Sequence, residues 1–245
     1  MMDILYIVGN GSDWDDNELR YSLRSIAKNG RNLGRVFLVG HKPEWVSDQV
    51  THIPCDDPLH VKHKNILNKV LTAMEKSDIG RHFLISSDDH YYVQPTDFDN
   101  LPVYFKNIEI PARMTDAQVW QEYFKSLHDT RCMLERHGLT LYQTNPHCNT
   151  HWDRGVYNRH RAIFDECMAM QFGGEMNCVM GNLLILEGAD PQPFVDAKLS
   201  TKMTLAEIEQ AAKTSNCLSS TPNIRESALA EYLRKTFPIK CKYEI

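Results

Sequence analysis

Three side chains with coordinating and acid–base chemistry stand together at Asp88-Asp89-His90. They follow a short apolar run, Phe83-Leu84-Ile85, and precede Tyr91-Tyr92-Val93. Adjacent carboxylates repel unless something offsets their charge, and a divalent cation does so while gaining oxygen ligands. In an extended segment Asp88 and His90 share one side and Asp89 takes the other. Two arrangements follow: Asp88 and His90 share a metal, or Asp89 ligates it and Asp88 bonds a ribose or a loop amide. A mixed Asp/His set suits Mn²⁺ better than Ca²⁺. The plain alternative is a solvated turn with capping acids.

The elements that must position these groups read as an alternation. Ile4–Val8 is a continuous apolar run closed by Gly9-Asn10-Gly11, as expected of a strand buried on both faces. Asp15 or Asp16 is placed to cap a helix through Ala27, with Leu19, Leu23 and Ile26 at helical spacing. Val36–Val39 and Val50–Pro54 are the next strands, and Asn65–Glu75 is the second helix. Four strands alternating with helical segments imply a Rossmann-type α/β fold, a mostly parallel sheet flanked by helices. Ligands in such sheets sit beyond the carboxyl ends of the strands, where Gly9-Asn10-Gly11-Ser12 and Asp88-Asp89-His90 both fall.

After residue 95 the pattern loosens into a helix-rich half. Helices are expected over 119–136, 154–170, 175–186 and 204–214, and from Asn223 or Ser227 through Lys235. Thr204 with Glu207 fits a capping box. Residues 142–154 read as a polar loop rich in His and Asn. No repeat or linker interrupts the chain, so residues 1–245 read as one domain, with 1–95 and 96–245 as its two halves.

The 245 residues are 42% apolar and 24% charged, and the net charge is −5. That balance gives no support for a broad nucleic-acid or membrane-binding face, although a local basic groove stays open. Seven cysteines without a C-x-x-C pair point to free thiols. The N-terminal MMDILYIVG lacks the basic start and long apolar stretch of a signal peptide, and no window reaches the ~18 apolar residues of a membrane span. The expectation is a cytoplasmic protein without a membrane span.

An apolar strand followed by Asp-x-Asp or Asp-x-His resembles the donor site of GT-A-fold glycosyltransferases. Asp16-Asn17-Glu18-Leu19-Arg20-Tyr21-Ser22-Leu23-Arg24-Ser25-Ile26 is similar to a segment of Stealth-like bacterial polysaccharide (capsule) transferases. Phe37–Gly40 with Pro43-Glu44-Trp45-Val46 resembles their next strand and turn, and Ser87–His90 sits where they carry an Asn-Asp-Asp segment. The likeness covers residues 3 to 95. Beyond them it reduces to His147 and a closing segment with Ser219-Ser220 and Phe237-Pro238.

The resemblance implies a transferase that takes a nucleoside-diphosphate sugar as donor and holds Mn²⁺ or Mg²⁺ through Asp88, Asp89, His90 and His147. Gly9, Asn10, Gly11 and Ser12 would contact the donor. Arg20 or Arg24 would neutralise its diphosphate, and Lys64 and Asn65 would reach its nucleotide or sugar. His151 is the second choice to His147, and zinc held by His147, Cys148 and His151 is a cruder alternative. Glu175, at an expected helix start, is the first candidate base; Asp153 is the second, and Asp89 completes the catalytic set through the metal. Each has an ordinary alternative as a turn, surface or capping residue. The acceptor would be a glycan or polysaccharide hydroxyl. Glycosylation of hydroxymethylated bases in phage DNA, sugar-1-phosphate transfer, a non-catalytic nucleotide-binding module and a metal-dependent hydrolase are the competing readings.

Overall fold

A computed structural model describes all 245 residues, Met1–Ile245. The first half runs β1 (Met2–Val8), α1 (Asn17–Asn29), β2 (Gly30–Arg31), β3 (Leu33–Gly40), β4 (Val50–Ile53), α2 (Lys62–Lys76), β5 (His82–Ser86), β6 (His90–Tyr92), β7 (Thr96–Asp97) and β8 (Val103–Phe105). The second half continues with α3 (Glu122–Arg136), β9 (Thr150–Asp153), α4 (Arg154–Arg159), α5 (Arg161–Ala169), α6 (Met176–Leu186), β10 (Pro191–Pro193), β11 (Lys198–Leu199), α7 (Leu205–Thr214), β12 (Cys217–Ser220) and α8 (Ala228–Thr236).

The central sheet has the order β4-β3-β1-β5-β9. Its first four strands are parallel, and β9 closes the edge antiparallel to β5. The α/β expectation therefore holds. Apolar side chains leave β1 on both faces, which is why its sequence is continuous rather than alternating. Leu5 packs with Leu67, Val70 and Ala73 of α2 and with Val179, Met180 and Leu183 of α6. Ile4, Tyr6 and Val8 meet Leu19, Leu23 and Ile26 of α1 on the other face. A third core joins Tyr91 and Leu218 to Ile208 of α7 and to Leu229 and Leu233 of α8. Gly40 ends β3 at φ +107°, where any Cβ would also collide with the Val8 carbonyl oxygen.

Polar residues of α1 hold β6 in place of a neighbouring strand. Ser22 Oγ donates to the His90 carbonyl (2.6 Å), Ser25 Oγ accepts from Tyr92 N–H (2.9 Å), and Asn29 Nδ2 donates to the Tyr92 carbonyl (2.6 Å). Positions 22, 25 and 29 lie along one helical stripe. On its opposite edge β6 pairs antiparallel with β12, with Ser219 across from His90. Its backbone is thus satisfied on both sides.

Several boundaries differ from expectation. Residues 142–154 are not wholly loop, because Thr150–Asp153 form β9 on the open edge of β5. The helix over 154–170 breaks at His160, between α4 and α5, and α3 starts at Glu122 rather than 119. Glu175 is the N-cap of α6, not its first turn. The Thr204/Glu207 capping box is present, and Ser227 caps α8. The two halves share the central sheet through β9, so neither has that sheet to itself.

Candidate functional site

Connections from β1 lead outward through β3 to β4, and the chain then returns to place β5 on the other side of β1. The strand order reverses between β1 and β5, and a crevice at their carboxyl ends is where an open α/β sheet receives a ligand. Gly9–Ser12 and Asp88–His90 both lie at this rim.

Ser87, Asp88 and Asp89 form a turn, and the strand resumes only at His90. The extended-strand alternation of Asp88 with His90 therefore does not apply. Burial pushes the Asp88 carboxyl up to about 7, and the carboxylates of Asp89 and Glu18 add to this, with Lys62 opposing. Asp89 Oδ2 accepts from Ser219 Oγ at 2.7 Å. His90 is buried and turned inward, its Nδ1 facing the Ser87 amide at 3.4 Å. Burial also holds its imidazole neutral, against the pull of Asp89. His90 is thereby a buried residue of β6 beside Asp89 and Asn149.

His147 stands at the same rim, within the electrostatic reach of His90. Its Nδ1 faces both oxygens of Asp196, at 2.9 and 2.8 Å, and its main-chain N–H donates to Asp196 at 2.8 Å. Lys106 approaches the same carboxylate at 3.4 Å. Burial alone would raise Asp196, but the hydrogen bonds from His147 and the charge of Lys106 hold it at about 2. The imidazole is fixed through Nδ1, which leaves Nε2 without a protein partner. A carboxylate behind a histidine in this way is the arrangement that orients metal-binding imidazoles.

No three His, Cys, Asp or Glu side chains close on a single point anywhere in the chain. A preformed cage of the zinc or Ca²⁺ kind is thus missing. A cation held by one or two carboxylates and completed by substrate phosphates, as Mg²⁺ or Mn²⁺ is, needs no such cage. Asp88 and Asp89 supply the carboxylates for such a cation, and His147 stands at the same rim near His90. His151 is excluded from it: its Nε2 bonds the Leu101 carbonyl at 2.8 Å, and burial pushes its pKa down to about 4. Cys148 is buried, and it does not join His147 and His151 in a group of three converging ligands, so the structure gives the zinc alternative no support.

Of the residues expected around a donor, several are engaged elsewhere. Ser12 Oγ accepts from the amides of Trp14 (3.1 Å) and Asp16 (3.0 Å) and donates to Glu18 (2.8 Å), so it builds the entrance to α1. Gly9, Asn10 and Gly11 are exposed, and a Cβ at either glycine would meet nothing, so the loop has open space beside it. Arg24 forms a two-pronged ion pair with Glu244, 2.7 Å on each prong, and donates to the Phe237 carbonyl. Arg20 lies over the Trp45 ring at 4.5 Å and 3.5 Å from Glu244. Both arginines are thus engaged with Glu244 near the end of the chain. Asn65 clamps both backbone groups of Leu59, closing the loop before α2. Lys64 packs against Gly173, whose φ is +70°.

Glu175 is buried, and its backbone N–H donates to Thr130 Oγ1 at 2.8 Å. Its carboxylate acts on His63 and Tyr123, whose rings lie 6.0 Å apart. Burial pushes His63 down, with Glu175 opposing. Tyr123 OH accepts from Asn145 Nδ2 at 3.1 Å, two residues before His147. Glu175 therefore sits behind Tyr123 on the His147 side of the crevice.

Asp153 is not at the site. It pairs with His82, the first residue of β5, whereas Asp88 follows the last. Four residue-to-residue steps separate the two ends of β5, roughly 13 Å. Its carboxylate caps α4 through the amides of Gly155 (2.6 Å) and Val156 (3.0 Å).

Asp196, Lys106, Glu18 and Lys62 are contributors that the sequence alone did not reveal. Ser219 was visible only within the closing Ser219-Ser220 segment. All seven cysteines are free, and no helix is long and apolar enough to cross a membrane. No protein-family model matches the chain, and no curated protein matches it. Fold and site together define an α/β protein with an acidic, histidine-bearing crevice at the reversal of its strand order.

Proposed function

We propose that the chain is a metal-dependent glycosyltransferase of the GT-A type, moving a sugar from a nucleoside-diphosphate sugar to a hydroxyl of a glycan or polysaccharide. The observation that supports this reading is the pair Asp88 and Asp89 at the point where the strand order reverses, with the oriented His147 near His90. Mn²⁺ or Mg²⁺ held there would neutralise charge developing on the leaving diphosphate. Asp89, braced by Ser219, and His147, braced by Asp196, keep their ligand atoms aimed without further reorganisation.

The open Gly9–Gly11 loop leaves room for the donor to approach the backbone. Glu175 takes the proton of the attacking hydroxyl, with His63 and Tyr123 beside it to relay or steady that proton. Trp120 is 83% exposed in the turn leading into α3 and offers an indole face to an acceptor sugar ring. With Arg20 and Arg24 engaged by Glu244, the cation and Lys62 carry the charge of the diphosphate.

The test is a thermal-shift panel of nucleoside diphosphates and nucleotide sugars, with and without Mn²⁺, on wild type and Asp89→Ala. One nucleotide should raise Tm only with Mn²⁺, and the variant should lose the rise. Folded protein that shifts with no nucleotide would overturn the reading.

A further inference from the structure

A cavity of about 550 Å³ lies away from the strand ends, between the end of α1 and the segment after α8. Lys28, Phe237, Pro238, Ile239, Lys240 and Lys242 line it. The chain carries a net charge of −5, yet Lys28, Lys240 and Lys242 in this lining have no carboxylate within 4.0 Å. Arg24, on the inner wall, is neutralised by Glu244. Three uncompensated lysines thus line one place on a chain of net negative charge. Among them Pro238 and Ile239 stand outward, Ile239 81% exposed. The turn that presents them is fixed from behind: Arg24 donates to the Phe237 carbonyl and Lys28 to the Thr236 carbonyl, both at 3.0 Å, while Phe237 itself is buried.

We infer that this surface docks the protein on an anionic lipid bilayer, with the lysines at the headgroup phosphates and Pro238-Ile239 entering the interfacial layer. Complementary charge supplies long-range attraction, and a protruding aliphatic side chain between lysines adds the short-range apolar contact. Duplex DNA would use the lysines but has no partner for an exposed isoleucine. Along α1, Lys28 lies ten residues beyond Glu18, a rise of roughly 15 Å, so a docked surface leaves the crevice at the other end of the helix uncovered. Such docking would bring the transferase to acceptors held at a membrane. It stands or falls independently of the donor site.

Co-sedimentation with vesicles of phosphatidylcholine, alone or mixed with phosphatidylglycerol, tests it on the full chain. Binding should require phosphatidylglycerol and weaken as salt is raised. Lys240→Glu with Lys242→Glu should weaken it by tenfold or more, and Ile239→Ser by about tenfold. All three positions are exposed, so the variants should keep the wild-type Tm. Absence of binding to the mixed vesicles, equal binding to phosphatidylcholine alone, or indifference to the charge reversal would overturn the proposal. So would a tighter, lysine-dependent affinity for a short DNA duplex, which would assign the patch to nucleic acid.

Discussion

Asp196 grips His147 twice, at the ring Nδ1 and at the main-chain amide, across 49 residues of sequence. The grip fixes both the tautomer and the direction of the ring, because Nδ1–H donates to the carboxylate and Nε2 is left as the free lone pair.

Asp196→Asn should loosen this orientation without emptying the site. Mn²⁺ affinity in the presence of the favoured nucleotide should fall about 10–100-fold, the usual cost of losing such a partner. Calorimetric titration measures it. An unchanged affinity would remove His147 from the metal.

Asp88 gives a pH dependence of definite sign. Its carboxyl rises from an ordinary 3.8 to about 7 in the folded chain, so between those values the native state binds the proton that the unfolded state has released. Stability contributed here is present at low pH and is lost as pH rises through about 7. About three units at 1.36 kcal/mol each set a ceiling of about 4 kcal/mol, reduced because Asp88 retains partial solvent contact. Asp88→Asn should therefore stabilise the metal-free protein at pH 8 and have little effect at pH 4, read by urea denaturation. Equal effects at both pH values would refute the shift.

The Arg24–Glu244 pair is a structural fastening. Glu244 is 5% exposed and Arg24 14%, so Glu244→Gln should cost about 2–4 kcal/mol by leaving a largely buried guanidinium without its counter-charge. Nucleotide binding should survive in the folded fraction. Loss of nucleotide affinity with unchanged stability would return Arg24 to the donor site.

Glu175 and Asp153 are both helix N-caps, and turnover separates their roles. Glu175→Gln should keep nucleotide binding and lower turnover by at least about 10²-fold if it takes the acceptor proton. Asp153→Ala should leave turnover intact and cost about 1 kcal/mol through the lost α4 cap. The reverse pattern would exchange their roles.

The sheet from β1 to β5 was legible because strands buried on both faces leave unbroken apolar runs, such as Ile4–Val8 and Val36–Val39. Thr150-His151-Trp152-Asp153 gave no such sign. Only Trp152 is fully buried in it, and its strand form comes from the free edge of β5 rather than from its own composition. The arginine stripe was read correctly as one helical face, yet its partner, Glu244, lies 220 residues from Arg24 and no local rule points to it. Asp196 was hidden for the same reason. By contrast, Asp88-Asp89 was conspicuous because two acids after a buried strand are locally unfavourable. The structure answers that conflict by raising Asp88 and by bonding Asp89 to Ser219.

The antiparallel β9 also matters before the protein is complete. A nascent chain leaves the ribosome N-terminus first, and β5 then has β1 on one side only. Its other edge, the backbone of Phe83-Leu84-Ile85, stays bare until Thr150–Asp153 has emerged. An apolar strand with open amides and carbonyls is a template for pairing with another chain. Translation arrested anywhere between residues 87 and 149 would thus release fragments that stick to one another, and four residues at 150–153 decide whether the strand at 82–86 stays covered.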